Sequence, residues 1–149
     1  MKKQKRWQIV LLAVIGVATV LIWSQSLKSA GQSSLNSNAV ALPMAGNEGV
    51  SGDLFDTLLI LVRKLAHFFE FAVLGVLWGL YSRLRPGKLA WLYGLPVALL
   101  DEGLQYFAPG RAPGVLDVVL DYAGYFCGFA LVFSIAGWLL RRKKKSIKE

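Results

Sequence analysis

The stretch RKLAHFFEFAVLGVLWGLY, residues 63–81, decides the fold. From Leu65 onward it is apolar except for His67 and Glu70. Lys64 to Tyr81 is long enough to cross a bilayer, which takes about 20 predominantly apolar residues with a lower limit near 17. Its ionisable residues lie at one end only. Arg63, His67, Glu70 and Leu74 follow the i, i+4, i+7, i+11 spacing of a single helical stripe. Gly75 and Gly79 are one turn apart, the spacing at which a neighbouring helix can approach closely.

Three more segments of the same kind surround it: Trp7–Trp23, Leu89–Tyr106 and Leu116–Leu140. The expected fold is therefore all-α, an integral membrane bundle of four transmembrane helices. Composition agrees. Hydrophobic residues make up 55% of the 149, charged residues 17%, and mean hydropathy is +0.49. Such a chain is neither disordered nor a coiled coil, and one cysteine cannot build a disulfide scaffold. A soluble enzyme of this size would have few places to bury so much Leu, Val, Ala and Phe. Cys127 lies deep in the fourth segment and is read as a packing residue.

The net charge of +8 invites a nucleic-acid reading, but the placement of the charge argues against one. Lys2, Lys3, Lys5 and Arg6 precede the first segment; Arg83, Arg85 and Lys88 share one short loop; Arg141, Arg142, Lys143, Lys144, Lys145 and Lys148 form the tail. Basic clusters between spans mark the cytoplasmic side. The bias holds at every crossing and puts both termini in the cytoplasm. No nucleic-acid partner is expected. The first segment also has the layout of a signal peptide, with Ser24-Gln25-Ser26 after it. Trp at both of its ends favours an uncleaved span. The expected organisation is 1–23 as basic N-terminus and first helix, 24–63 as an external linker, 64–140 as a three-helix membrane domain, and 141–149 as a basic cytoplasmic tail. The linker is read as a flexible tether, with an interfacial helix over Leu54–Val62 leading into the second span as the alternative.

Charge inside a span is expensive and faces a bundle interior or a wet cavity. Here it collects at one depth. His67 and Glu70 open the second span, Asp101, Glu102 and Gln105 close the third, and Asp117 and Asp121 open the fourth. With Lys64 and Arg111 they fall within roughly 10 Å of the outer interface. Asp117, Asp121, Gly124 and Gly128 share one helical face. Pro96 near the middle of the third span predicts a kink. The turn from Ala108 to Gly114 holds two Pro and two Gly, stiff enough to keep Arg111 over the site. Arginine can grip a phosphate or carboxylate with two donors at once.

The string Lys64-x-x-His67-x-x-Glu70-Phe71, Asp101-Glu102-x-x-Gln105, Arg111, Asp117, Asp121, Gly124 and Gly128 resembles the VanZ-like family of bacterial membrane proteins. The family is named after a protein associated with resistance to the lipoglycopeptide teicoplanin. The resemblance covers residues 64–128 and implies a multi-pass protein of the bacterial cell membrane. It carries no established reaction. Two positions depart from the family pattern, which often has Tyr where Phe71 stands and Asn where Asp121 stands.

The favoured reading is a protein at the outer face that binds or shields a lipid head group or lipid-tailed ligand, with a contribution to teicoplanin resistance. Lys64, Arg111, Gln105, Glu70, Asp117 and Asp121 are its candidate ligand-binding residues. The alternative is a membrane enzyme modifying a phospholipid or polyprenyl-linked cell-wall precursor. In that reading Lys64 and Arg111 hold the phosphate, Glu102 or Asp101 acts as general base, and His67 carries a proton. Proton-coupled transport and a purely structural ion-pair network complete the options. No cofactor and no metal are assigned. Asp101, Glu102, Asp117 and Asp121 would suit Mg²⁺ or Ca²⁺, but their spacing is not diagnostic. The partner is a membrane lipid or lipid-linked envelope component. Glu102 and Arg111 are the first residues to test.

Overall fold

The computed structural model describes residues 2–28, 52–87, 89–111 and 114–146. These form four helices and one 3₁₀ turn, with no strand among the described residues: α1 (Lys2–Ser26), α2 (Gly52–Leu84), the turn Ala90–Leu92, α3 (Gly94–Gln105) and α4 (Val115–Ser146). The all-helical expectation holds. The part of the expected linker between 29 and 51 lies outside the described residues.

Helix boundaries differ from the sequence reading at three places. The helix α2 has 33 residues, about 50 Å of helix, and does not break at Arg63-Lys64. Leu54–Val62 is therefore its N-terminal part, neither a flexible tether nor a separate interfacial helix. The helix α4 continues past Leu140 into the basic tail, where the Arg142 guanidinium sits 4.0 Å from the centre of the Trp138 ring. Its first turn carries Asp117, where a carboxylate complements the positive end of the helix dipole.

The third difference is the largest. The segment Leu89–Tyr106 is not one kinked helix. It is a 3₁₀ turn followed by a helix of 12 residues, about 18 Å long against a hydrocarbon core of about 30 Å. Pro96 lies in the first turn of α3, where a missing N–H has no helical partner to lose. The break has a tertiary cause. A side chain on Gly94 would run into the ring of Tyr125. Tyr125 is fully buried, and its hydroxyl donates to the Ala90 carbonyl at 2.6 Å. One α4 side chain thus fills the space beside Gly94 and engages a carbonyl of the 3₁₀ turn.

Small residues bring α2 and α4 into backbone contact. A Cβ at Gly124 would strike the Phe68 carbonyl, one at Gly128 the Ala72 carbonyl, and one at Gly75 the Tyr125 carbonyl. Gly79 faces Val132 in the same way. The numbers rise together along both helices, so α2 and α4 run parallel. The helix α1 runs the other way. The side-chain amides of Gln4 and Gln8 donate to the Leu84 carbonyl at 3.2 and 3.1 Å, while Gln25 near its other end reaches Glu70. Basic residues at the start of α1 and the end of α2 therefore share one end of the bundle. Ser26, Asp101–Gln105, the turn at 106–111 and Asp117 share the other.

The shared core is small: Ile15, Ile22, Phe71, Leu74, Ala98 and Tyr125, with Trp23, Trp78 and Phe129 against it. Most other large apolar side chains point outward. Two segments, Gln4–Ser26 and Val115–Lys143, are long and apolar enough to cross a membrane, and only 17% of the most apolar stretch of each is buried. A helix that is apolar around its whole circumference and exposed suits lipid as its solvent.

Candidate functional site

A cavity of about 260 Å³ opens at the polar end of the bundle. Its walls are Arg63, Lys64 and His67 from α2, Gln105 from α3, Gly110 and Arg111 from the turn, and Asp117, Leu120 and Asp121 from α4. Helical spacing explains the selection. Arg63 and His67 are one turn apart on α2, and Asp117 and Asp121 are one turn apart on α4. The backbone contact at Gly124 and Gly128 holds the two pairs against each other.

Six of the nine expected site residues form these walls: Lys64, His67, Gln105, Arg111, Asp117 and Asp121. The Lys64 ammonium is ion-paired with the Asp117 carboxylate, and both side chains are partly exposed. Arg111 follows Gly110, which adopts φ 76°, a left-handed conformation that glycine takes without strain. Burial and the neighbouring Arg63 guanidinium lower the pKa of Arg111, against the pull of Asp101 and Glu102. An arginine starts so high that it stays charged all the same.

The other three lie behind or beside the walls. Asp101 is fully buried. The Ser26 hydroxyl lies 2.7 Å from both of its carboxylate oxygens, and Gln105 Nε2 donates to it at 3.3 Å. His67 Nδ1 stands 3.9 Å from its Oδ2. Glu102 is also buried, and it accepts hydrogen bonds from the Gly114 backbone N–H and from Gln105 Nε2. Its carboxylate ties the end of α3 to the residue just before α4. Glu70 faces α1, where it accepts from Gln25 Nε2 at 2.7 Å.

Two contributors were not foreseen. Gln25 and Ser26 belong to the last turn of α1 and contact Glu70 and Asp101, although Ser24-Gln25-Ser26 reads in the sequence as the small-residue end of a leader. Trp23 adds a hydrogen bond from its indole N–H to the Val97 carbonyl at 3.3 Å, fixing the end of α1 beside α3. A polar Gln-Ser pair closing an apolar helix is the signal that would have found them. The suggested quartet of Asp101, Glu102, Asp117 and Asp121 does not assemble as one centre. Glu102 is bound to the Gly114 backbone and Asp117 to Lys64.

The arrangement can do two things chemically. Its cationic walls can hold an anion of modest size. Its buried carboxylates can fix the positions of the helices and turn that carry those walls.

No curated protein and no solved structure matches the chain. A family model described as VanZ/LLP1 matches residues 8–139, extending well beyond the 64–128 stretch that carries the motif string. With two helices fit to cross a bilayer, the match points to a membrane protein. The matched region takes in α1, whose last turn completes the site, as well as α2, α3 and most of α4, and the chain belongs to the VanZ/LLP1 family.

Proposed function

We propose that this is a multi-pass protein of the bacterial cell membrane, with both termini in the cytoplasm, that binds the anionic head group of a lipid or lipid-tailed ligand at the outer face. The observation that carries the reading is the convergence of Arg63, Lys64 and Arg111 on one cavity at the end of the bundle remote from the basic clusters. A bound phosphate or carboxylate would be met by the Arg63 and Arg111 guanidinium groups, whose planar donors suit such an anion, with the Lys64 ammonium beside them.

The surroundings support a ligand whose tail stays in the bilayer. Tyr106, Phe107, Val115 and Leu116 flank the turn and are 73%, 76%, 82% and 79% exposed. Aromatic and aliphatic side chains at that level suit the membrane interface. A volume of about 260 Å³ is below the roughly 300–1,000 Å³ of pockets that enclose a drug-sized molecule. It suits a head group alone. Where the tailed ligand is a lipoglycopeptide such as teicoplanin, capture at this depth would protect the cell.

Binding is favoured over acid–base chemistry because Glu102, the leading candidate for a general base, is engaged by the Gly114 N–H and Gln105. The test is native mass spectrometry of the purified protein titrated with phosphatidylglycerol and with phosphatidylcholine. Hydrogen bonds to charged groups contribute about 1.5–3 kcal/mol each. The Arg63→Gln, Arg111→Gln double variant should therefore bind phosphatidylglycerol at least tenfold more weakly than wild type, with no change for phosphatidylcholine. Equal binding of both lipids by wild type, or full retention in the double variant, refutes the proposal.

A further inference from the structure

The geometry points to a divalent metal site at the inner wall of this cavity, formed by His67, Asp101 and Asp121 and suited to Zn²⁺ or Mn²⁺. Each residue offers one ligand atom, and the three atoms lie within 4.8 Å of one another. They come from α2, α3 and α4, so the site exists only in the folded bundle. A tetrahedral ion with bonds of roughly 2.1 Å holds its ligands about 3.4 Å apart. His67 Nδ1 and Asp101 Oδ2 are 3.9 Å apart. Small side-chain rotations bring the three atoms to bonding distance.

An unpaired ring nitrogen and the burial of both carboxylates mark these atoms as ligands and not as ordinary structural polar groups. His67 Nδ1 is buried and has no hydrogen-bond partner among the described residues. A buried ring nitrogen left unpaired is costly, and native proteins rarely keep one without a use. Asp121 is 2% exposed and Asp101 is fully buried, so both carboxylates of the set are held away from bulk water. An ion of charge +2 satisfies the nitrogen and both carboxylates at once.

The chemistry of the set narrows the ion. One imidazole with two carboxylates suits zinc or manganese better than the all-oxygen environments preferred by Mg²⁺ and Ca²⁺. Outer partners are also in place. Ser26 and Gln105 hydrogen-bond to Asp101 and fix its carboxylate, the usual arrangement behind a metal ligand. Three protein ligands leave a position for an exogenous oxygen. His67 and Asp121 are themselves cavity walls, so that position is accessible to whatever occupies the cavity. Neither feature depends on head-group recognition, and metal loading can be read on the protein alone.

The test uses the full chain in detergent with Cys127→Ser, which removes the one thiol that could bind zinc adventitiously. After stripping with chelator, Zn²⁺ is added, the excess is removed by gel filtration, and metal is counted by mass spectrometry. One ion per chain is expected, with His67→Asn and Asp121→Asn each holding less than a tenth of an ion and Gln8→Ala, at the opposite end of the bundle, holding one. Mn²⁺-loaded protein is then examined by pulsed electron paramagnetic resonance, and coupling to one imidazole nitrogen is expected. This second reading needs no variant and decides the matter if a substitution prevents folding. Absence of stoichiometric metal from the folded protein, retention in His67→Asn, or Mn²⁺ bound without nitrogen coupling overturns the proposal.

Discussion

Replacing Gly128 with Ala tests how the site is held together. The added methyl would overlap the Ala72 carbonyl of α2, and the neighbouring Gly124 already sits against the Phe68 carbonyl. Both obstacles are backbone atoms in a continuous helix, so they cannot rotate aside as a side chain can. The two helices must separate along the contact that aligns Arg63 and His67 with Asp117 and Asp121. Overpacking of this kind costs about 1–3 kcal/mol. The upper half of that range applies here, because backbone meets backbone. Gly103→Ala is the control, since nothing lies within 4 Å of a Cβ there. In a helix interior that change should be neutral or stabilising by up to about 1 kcal/mol. Unfolding in mixed micelles of mild detergent and dodecyl sulfate measures both. Gly128→Ala should lower the folded-to-unfolded ratio by roughly 30-fold or more, equivalent to about 2 kcal/mol. If both variants unfold alike, the close approach of α2 and α4 does not hold the bundle, and the account of the site fails with it.

Other substitutions probe single contacts. Tyr125→Phe removes the hydroxyl that donates to the Ala90 carbonyl and should cost about 1–2 kcal/mol in the same assay. Pro96→Ala should change stability by less than about 0.5 kcal/mol, because the proline stands in the first turn of α3; a large loss would restore the idea of a kinked span. Glu102→Ala frees the Gly114 N–H, and hydrogen exchange at Gly114 should rise while exchange in the middle of α4 stays unchanged. Lys64→Ala and Asp117→Ala, singly and together, should give a coupling energy below about 1 kcal/mol, as expected of a partly exposed ion pair.

The sequence makes the helical class legible because long apolar segments and one-turn glycine spacings speak directly of helices that touch. The depth of the site is legible too, since charges placed at the ends of three segments must meet if those segments pack side by side. What escapes the sequence depends on partners distant along the chain. The break near Gly94 reflects the Tyr125 ring, and no local pattern in residues 89–106 announces it. Glu102 stands out with Asp101 as a carboxylate in an apolar segment, yet its partner is a backbone N–H, which every residue except proline has. Ser26 has the composition of a leader end, and only the packing of α1 against α3 turns it into a ligand of Asp101. His67 and Asp121 are each visible as polar residues on a helix face, but their convergence with Asp101 depends on how deeply the glycines let α2 and α4 approach.

In the proposed orientation the polar end of the bundle faces the outside of the cell and the basic end faces the cytoplasm. Single cysteines in a Cys127→Ser background test it most directly. Phe107 flanks the cavity and Arg85 lies in the basic loop, and both are exposed. Intact cells are treated with a membrane-impermeant maleimide, before and after permeabilisation. Phe107→Cys should label in intact cells, and Arg85→Cys only after permeabilisation. Labelling of Arg85→Cys from outside, with Phe107→Cys protected until the membrane is opened, would show the opposite orientation.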